Sequence, residues 1–204
     1  MEKANREYKD SVFRKFMRER ENCEALCRAF LEGEFAPGSV VEYDLDEVIF
    51  HNPRNDLAFL VDDVFLAFFE HQSTVNPNMP ARLGIYYANF LKSFLPREFL
   101  YSSAPIDFPA PKFFVLYNGN APAPPKTVLR LSDSFPRKGD MEISVTVCNI
   151  NYGSESKLLQ RCRPLYEYSF FVHSVRENVS QGMTLEQALT SAMESCAKQG
   201  IMER

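Results

Sequence analysis

The stretch 55–82, NDLAFLVDDVFLAFFEHQSTVNPNMPAR, holds the side chains best placed to do chemistry. Two apolar blocks flank the pair Asp62-Asp63. Asp56 opens the first block, and Glu70 closes the second inside Glu70-His71-Gln72. A carboxylate on each arm of a hydrophobic hairpin, both at the end away from the turn, can hold a hard cation through oxygen. Side chains alternate along a strand, so Glu70 and Gln72 share a face and His71 points away. A two-residue turn at Asp62-Asp63 would set Asp56 opposite Phe69 and leave the two acids on different faces. Sharing one cation therefore requires a loop of odd length or a bulge. Carboxylates at the ends of apolar strands are costly to bury alone. Either a metal ion or a basic partner compensates them, or they lie at a solvated sheet end and cap backbone amides.

The other candidates carry less. The ring of His71 reads as sheet packing rather than a metal ligand, and His51 and His173 have no partners in sequence. Cys23 and Cys27 are one helical turn apart, but a structural zinc site takes four ligands and the other three cysteines are remote; buried core thiols are the better reading. No glycine-rich phosphate loop is present. Basic residues cluster at Arg14, Lys15, Arg18 and Arg20, and again at Lys157, Arg161 and Arg163. Each cluster is either a solvated helix surface or a local phosphate contact. A net charge of -4 gives no support to nucleic-acid binding through overall charge, though it leaves a local contact open.

These residues need elements to hold them. A chain of 204 residues makes one well-filled domain, 1–204, with a core rich in phenylalanine (18 Phe, no Trp). An odd cysteine count (five) and the lack of an N-terminal signal-like apolar region suggest a reducing cytoplasm. No apolar run reaches the roughly 18 residues that span a bilayer. Apolar spacing predicts helix over 10–32, with a break near 19–22 and stop signals at Gly33 and Pro37-Gly38. Residues 41–50 read as an exposed edge strand, and 57–61 and 64–69 as central strands buried on both faces. Asn78 and Pro80 open a helix whose face carries Leu83, Tyr87, Phe90, Leu91 and Phe94. Residues 104–111 connect to strands at 113–117 and 142–150. Residues 155–204 form a helical extension, with a capping box at Thr184 and Gln187 and a stop at Gly200.

The order of these features is similar to the PD-(D/E)XK nuclease superfamily. More narrowly, the chain resembles the Rpn family of recombination-promoting nucleases, often labelled transposases. The match rests on Tyr8-Lys9-Asp10-Ser11-Val12-Phe13, Asn55-Asp56-Leu57-Ala58-Phe59-Leu60, Glu70-His71-Gln72-Ser73-Thr74 and Asn76-Pro77-Asn78-Met79-Pro80-Ala81-Arg82. It continues through Tyr117-Asn118-Gly119, Leu131-Ser132-Asp133 and Cys148-Asn149-Ile150-Asn151-Tyr152.

The resemblance implies an α/β fold, a restriction-endonuclease-like αβββαβ core with a mixed central sheet and added C-terminal helices. It implies a Mg²⁺- or Mn²⁺-dependent endonuclease acting on double-stranded DNA in recombination or mobile elements, with no membrane partner and a homodimer left open. Asp56 and Glu70 would be catalytic and hold the ion, joined by Asp10 directly or through water and by the backbone carbonyl of His71. Gln72 stands where the superfamily usually has Lys, so it can orient water or donate to phosphate but brings no charge. Arg82 is a candidate replacement charge, or else a structural helix arginine. Arg14, Lys15, Arg18 and Arg82 would meet DNA, with 157–163 a second contact. The alternative is a nuclease-fold protein that binds DNA or protein without cutting.

Overall fold

The computed structural model describes residues 2–31, 35–43 and 56–202. Gly33, positions 44–50 of the expected edge strand, His51 and Asn55 lie outside them, and Asp56 is placed by its backbone alone.

Two helices open the chain, α1 (Glu2–Met17) and α2 (Arg20–Phe30), with the break at Arg18-Glu19. Asn22 secures the break: its side-chain amide donates to the carbonyl of Phe16 at 2.8 Å. Three strands follow, β1 (Val40–Tyr43), β2 (Asp56–Val61) and β3 (Phe65–Gln72), then α3 (Met79–Phe94), β4 (Ala110–Tyr117), β5 (Lys126–Arg130) and β6 (Ser144–Asn149). The chain continues through α4 (Lys157–Arg161), α5 (Arg163–Ser180) and α6 (Leu185–Lys198).

The strands form one mixed sheet in the order β1-β2-β3-β4-β6-β5. β1, β2 and β3 are an antiparallel meander, β3, β4 and β6 run parallel, and β5 returns antiparallel at the far edge. β1 is an edge, as the mixture of acidic and apolar residues predicts. The unbroken apolar run of β3 lies between two neighbours and is buried on both faces, the usual outcome for parallel strands covered by helices.

Each face has its own core. Phe13, Met17, Leu26, Phe69, Leu116, Tyr168 and Val172 pack on the face covered by α1, α2, α5 and α6. Leu66, Phe68, Met79, Leu83, Phe90, Phe113 and Val115 pack on the face covered by α3. Odd residues of β3 thus feed the first core and even residues the second. On α3, Leu83, Tyr86 and Phe90 are buried, while Phe94, predicted on the same face, is exposed at the helix end. Asn78 precedes α3 without a side-chain cap, but the box at the start of α6 forms: Thr184 Oγ1 accepts from the Gln187 amide, and Gln187 Oε1 accepts from the Thr184 amide. Among the described residues, no helix is long and apolar enough to cross a membrane.

Candidate active site

The hairpin between β2 and β3 settles the face on which its acids lie. Asp62 and Asp63 both take positive φ (51° and 56°), as a tight type I′ hairpin turn requires, and Val64 donates back to the Val61 carbonyl at 2.9 Å. The ladder then pairs Val61 with Phe65, so Val64 is an extra residue. Its carbonyl accepts from the Ala110 amide at 2.8 Å, tying the insertion to β4. This one added residue brings Asp56 opposite Glu70, on the face that also carries Gln72.

Glu70 is 3% exposed, at the carboxyl end of β3. Its Oε1 receives Arg82 Nη1 at 2.9 Å and Gln72 Nε2 at 2.6 Å. Arg82 stands in the first turn of α3 and also donates through Nε to the Tyr86 hydroxyl. The basic partner that a buried carboxylate needs is therefore present in this chain. The Gln72 side chain keeps one acceptor, Oε1, buried and without a hydrogen-bond partner.

His71 faces the other core. Its Nδ1 lies 3.0 Å from Asp10 Oδ1, its Nε2 lies 2.9 Å from the Tyr168 hydroxyl, and its ring stacks on Phe13. Burial lowers the His71 pKa, against the opposing pull of its hydrogen bond to Asp10. The neutral ring donates Nδ1–H to Asp10 and accepts the Tyr168 proton at Nε2. Burial likewise raises the Tyr168 pKa well above 10.0. The ring is thus a packed core group, as expected. Asp10, which the resemblance places on the ion, has its carboxylate against this ring, on the opposite face of β3 from Glu70.

The backbone at His71 points elsewhere. Strand carbonyls alternate in direction, and those of Val64 and Gln72 accept from Ala110 and Asn118 on the β4 side. The His71 carbonyl therefore turns toward the β2 side, beyond the Asp56–Glu70 pair.

Several residues here were given no role by the sequence. Asn118, directly after β4, donates its amide to the Gln72 carbonyl at 2.8 Å. Arg176, from α5, donates to the Asn118 carbonyl and Oδ1 and to Asn151 Oδ1 at 2.6, 2.8 and 2.7 Å. It forms no ion pair with a carboxylate among the described residues, and burial lowers its pKa while neighbouring tyrosines oppose the shift. Ser73 Oγ, Asn118 Nδ2 and Arg176 Nε are buried without hydrogen-bond partners, as is Gln72 Oε1. Such atoms are rare in folded proteins; Gln72, Ser73 and Asn118 stand at the carboxyl ends of β3 and β4, and Arg176 of α5 meets that end through its bonds to Asn118. Ligands bind at that end in open α/β sheets. Polar residues just past a strand end, as in Tyr117-Asn118-Gly119 and Asn149-Ile150-Asn151, are the signal that sequence offers for these contacts.

The expected DNA-contact residues are divided. Lys15 is exposed and Arg14 half-buried. Arg18 is engaged with Glu42 at 2.6 Å, Arg20 with Glu24 at 3.5 Å and Arg163 with Glu167 at 2.6 Å. Among the described residues, which do not include the Asp56 side chain, no three His, Cys, Asp or Glu side chains converge to hold a metal. The donor types around Glu70 still suit a hard cation, since carboxylate, amide Oε1 and the His71 carbonyl all offer oxygen. No protein-family model, curated protein or solved structure matches the chain.

Proposed function

We propose that this chain is a metal-dependent endonuclease that hydrolyses phosphodiester bonds in double-stranded DNA, on a restriction-endonuclease-like core. The observation that carries the reading is the Asp56–Glu70 pairing produced by the extra residue Val64, which puts two acids and Gln72 on one face at a strand end. The order α1, β1 to β3, α3, β4 agrees with an αβββαβ core. Asp56, Glu70 and the His71 carbonyl would hold Mg²⁺ or Mn²⁺, which when bound lowers the pKa of water and neutralises charge on the phosphate. Gln72 orients the attacking water through Oε1. Arg82, released from Glu70, places its guanidinium on a phosphate oxygen and supplies the charge that a Lys at position 72 would give. The test is plasmid nicking with Mg²⁺, Mn²⁺ or EDTA beside a Glu70→Ala control of native circular dichroism. Metal-dependent nicking that the control lacks supports the reading; equal nicking by both proteins rejects it.

The ion pair itself favours a second reading. With Arg82 Nη1 already 2.9 Å from Glu70, the carboxylate has its cation, and the same fold would serve as a DNA- or protein-binding module. Binding of duplex DNA with no nicking in either metal selects this alternative.

A further inference from the structure

A second polar concentration lies on the opposite face of the sheet from Glu70. A cleft of about 680 Å³ opens between the last turn of α2, the floor formed by Phe114 of β4 and Thr146 and Cys148 of β6, the start of β5 and the α4 segment. Arg28, Lys126, Lys157 and Arg161 line it, with Glu155 the single acid. Three positive charges thus stand in excess around one opening, on a chain whose net charge is -4. Arg28 is partly engaged, 4.0 Å from Glu24 and over the Phe35 ring. Lys126, Lys157 and Arg161 form no ion pair among the described residues, and all three are exposed. Phe30, Phe114 and Leu158 give the cleft an apolar wall.

We propose that this cleft binds a phosphomonoester carrying a planar apolar group, the chemistry of a nucleoside monophosphate. The volume falls in the range of small-molecule sites, roughly 300–1,000 Å³, where apolar walls supply contact and a few polar groups fix orientation. A dianionic phosphate meets several cations at once, and clustered like charges are relieved when it arrives. The partly buried ring of Phe30, packed against Phe69 and Phe114, is the aromatic part of the lining that a base would meet, while Thr146 and Ser156 add hydroxyls. Inorganic phosphate lacks the apolar part and a nucleoside lacks the charge, so each alone uses half of the site. The same phosphomonoester occurs free or at the 5′ end of a DNA strand. The proposal does not rest on cleavage at Glu70.

Titration calorimetry at low salt with dAMP, inorganic phosphate, deoxyadenosine and a 5′-phosphorylated oligonucleotide tests it. dAMP binds at least about tenfold more tightly than phosphate or deoxyadenosine, and added salt weakens it. Lys126→Ala and Arg161→Ala, both at exposed positions and checked by circular dichroism, each reduce affinity about tenfold. An oligonucleotide that binds more tightly than dAMP, and loses this on dephosphorylation, assigns the site to strand ends; equal binding assigns it to free nucleotide. Failure of both dAMP and the phosphorylated oligonucleotide to bind, or wild-type affinity in the folded Lys126→Ala/Arg161→Ala double variant, overturns the proposal.

Discussion

Arg82 and Glu70 form an ion pair in which guanidinium Nη1 lies 2.9 Å from carboxylate Oε1, with the acid buried and the base 39% exposed. The pair spans the end of β3 and the first turn of α3, and Gln72 donates to the same oxygen. Considered by sequence alone, Glu70 and Asp56 are two like charges, so removing one would relieve repulsion and hold or raise stability. The ion pair reverses that sign. Glu70→Ala should lower stability by about 1–2 kcal/mol, the scale of charge-assisted hydrogen bonds discounted for an exposed partner. Urea unfolding with unchanged native circular dichroism checks this, and a gain in stability would show that repulsion dominates.

On the proposed metal reading, Arg82 and a cation would compete for Glu70, and that competition can be measured. Arg82→Ala removes the basic partner and should cost about 1 kcal/mol without metal. A cation bound only by the folded state adds stability by mass action, and without Arg82 it meets less competition. Mg²⁺ should therefore raise the melting temperature more in Arg82→Ala than in the parent protein. Identical shifts, or none in either, count against ion binding at Glu70.

Close approach at the strand ends makes a third expectation. A Cβ at position 119 would collide with the Ser73 carbonyl and the Tyr117 ring, and Tyr117 is itself held by donating to the Ala121 carbonyl at 2.8 Å. Gly119→Ala forces backbone apart between β3 and β4, so it should destabilise by about 1–3 kcal/mol, the usual scale of overpacking. Chemical denaturation reads this directly, and a neutral effect would mean that the segment yields.

Much of the fold follows from patterns visible in the chain. The unbroken apolar run of β3, the break before α2 and the Thr184–Gln187 box each have a local physical cause, and each appears. The face shared by Asp56 and Glu70 was legible only as a condition, because one residue of register decides it. Val64 supplies that residue, and nothing in Val-Asp-Asp-Val distinguishes a pairing partner from a bulge. Arg176 was out of reach for another reason. Its partners Asn118 and Asn151 are 58 and 25 residues away, and only the parallel crossing of β4 and β6 brings them to one helix. Asp10 shows the same limit, since its contact with His71 spans 61 residues.

The cysteines give a pH dependence. All five are free and buried, and burial pushes Cys148 and Cys162 up from 9.0 to about 11. A folded pKa above the unfolded value stabilises fully below the unfolded pKa and is lost as pH rises through the folded one. Stability should therefore decline between pH 9.0 and about 11, and a folded Cys148→Ala/Cys162→Ala variant should lose part of that decline. Because the thiolate is the reactive form, a thiol reagent should label the native protein slowly at about pH 8 and all cysteines once it unfolds. Fast native labelling would contradict the burial of these groups.

On the proposed metal reading, Asp10 would either hold the ion or hold the strand that carries Glu70, and its variants divide the two. Its Oδ1 accepts from His71, whose other nitrogen meets Tyr168, so α1 and α5 grip the residue next to Glu70 from the far face of β3. Asp10→Ala leaves a buried imidazole N–H without its acceptor and should cost about 1–3 kcal/mol. Asp10→Asn keeps an oxygen for that N–H and should cost less. Neither change removes an oxygen from the Glu70 side of the sheet. Calorimetric Mn²⁺ affinity should therefore stay within about threefold of the parent in Asp10→Asn, a difference below about 1 kcal/mol. Glu70→Gln and Asp56→Asn, which remove charge from the paired positions, should each weaken it by tenfold or more, about 1.4 kcal/mol. Equal loss in all three variants would return Asp10 to the ion as a ligand, and the His71 contact would then have to open when metal binds.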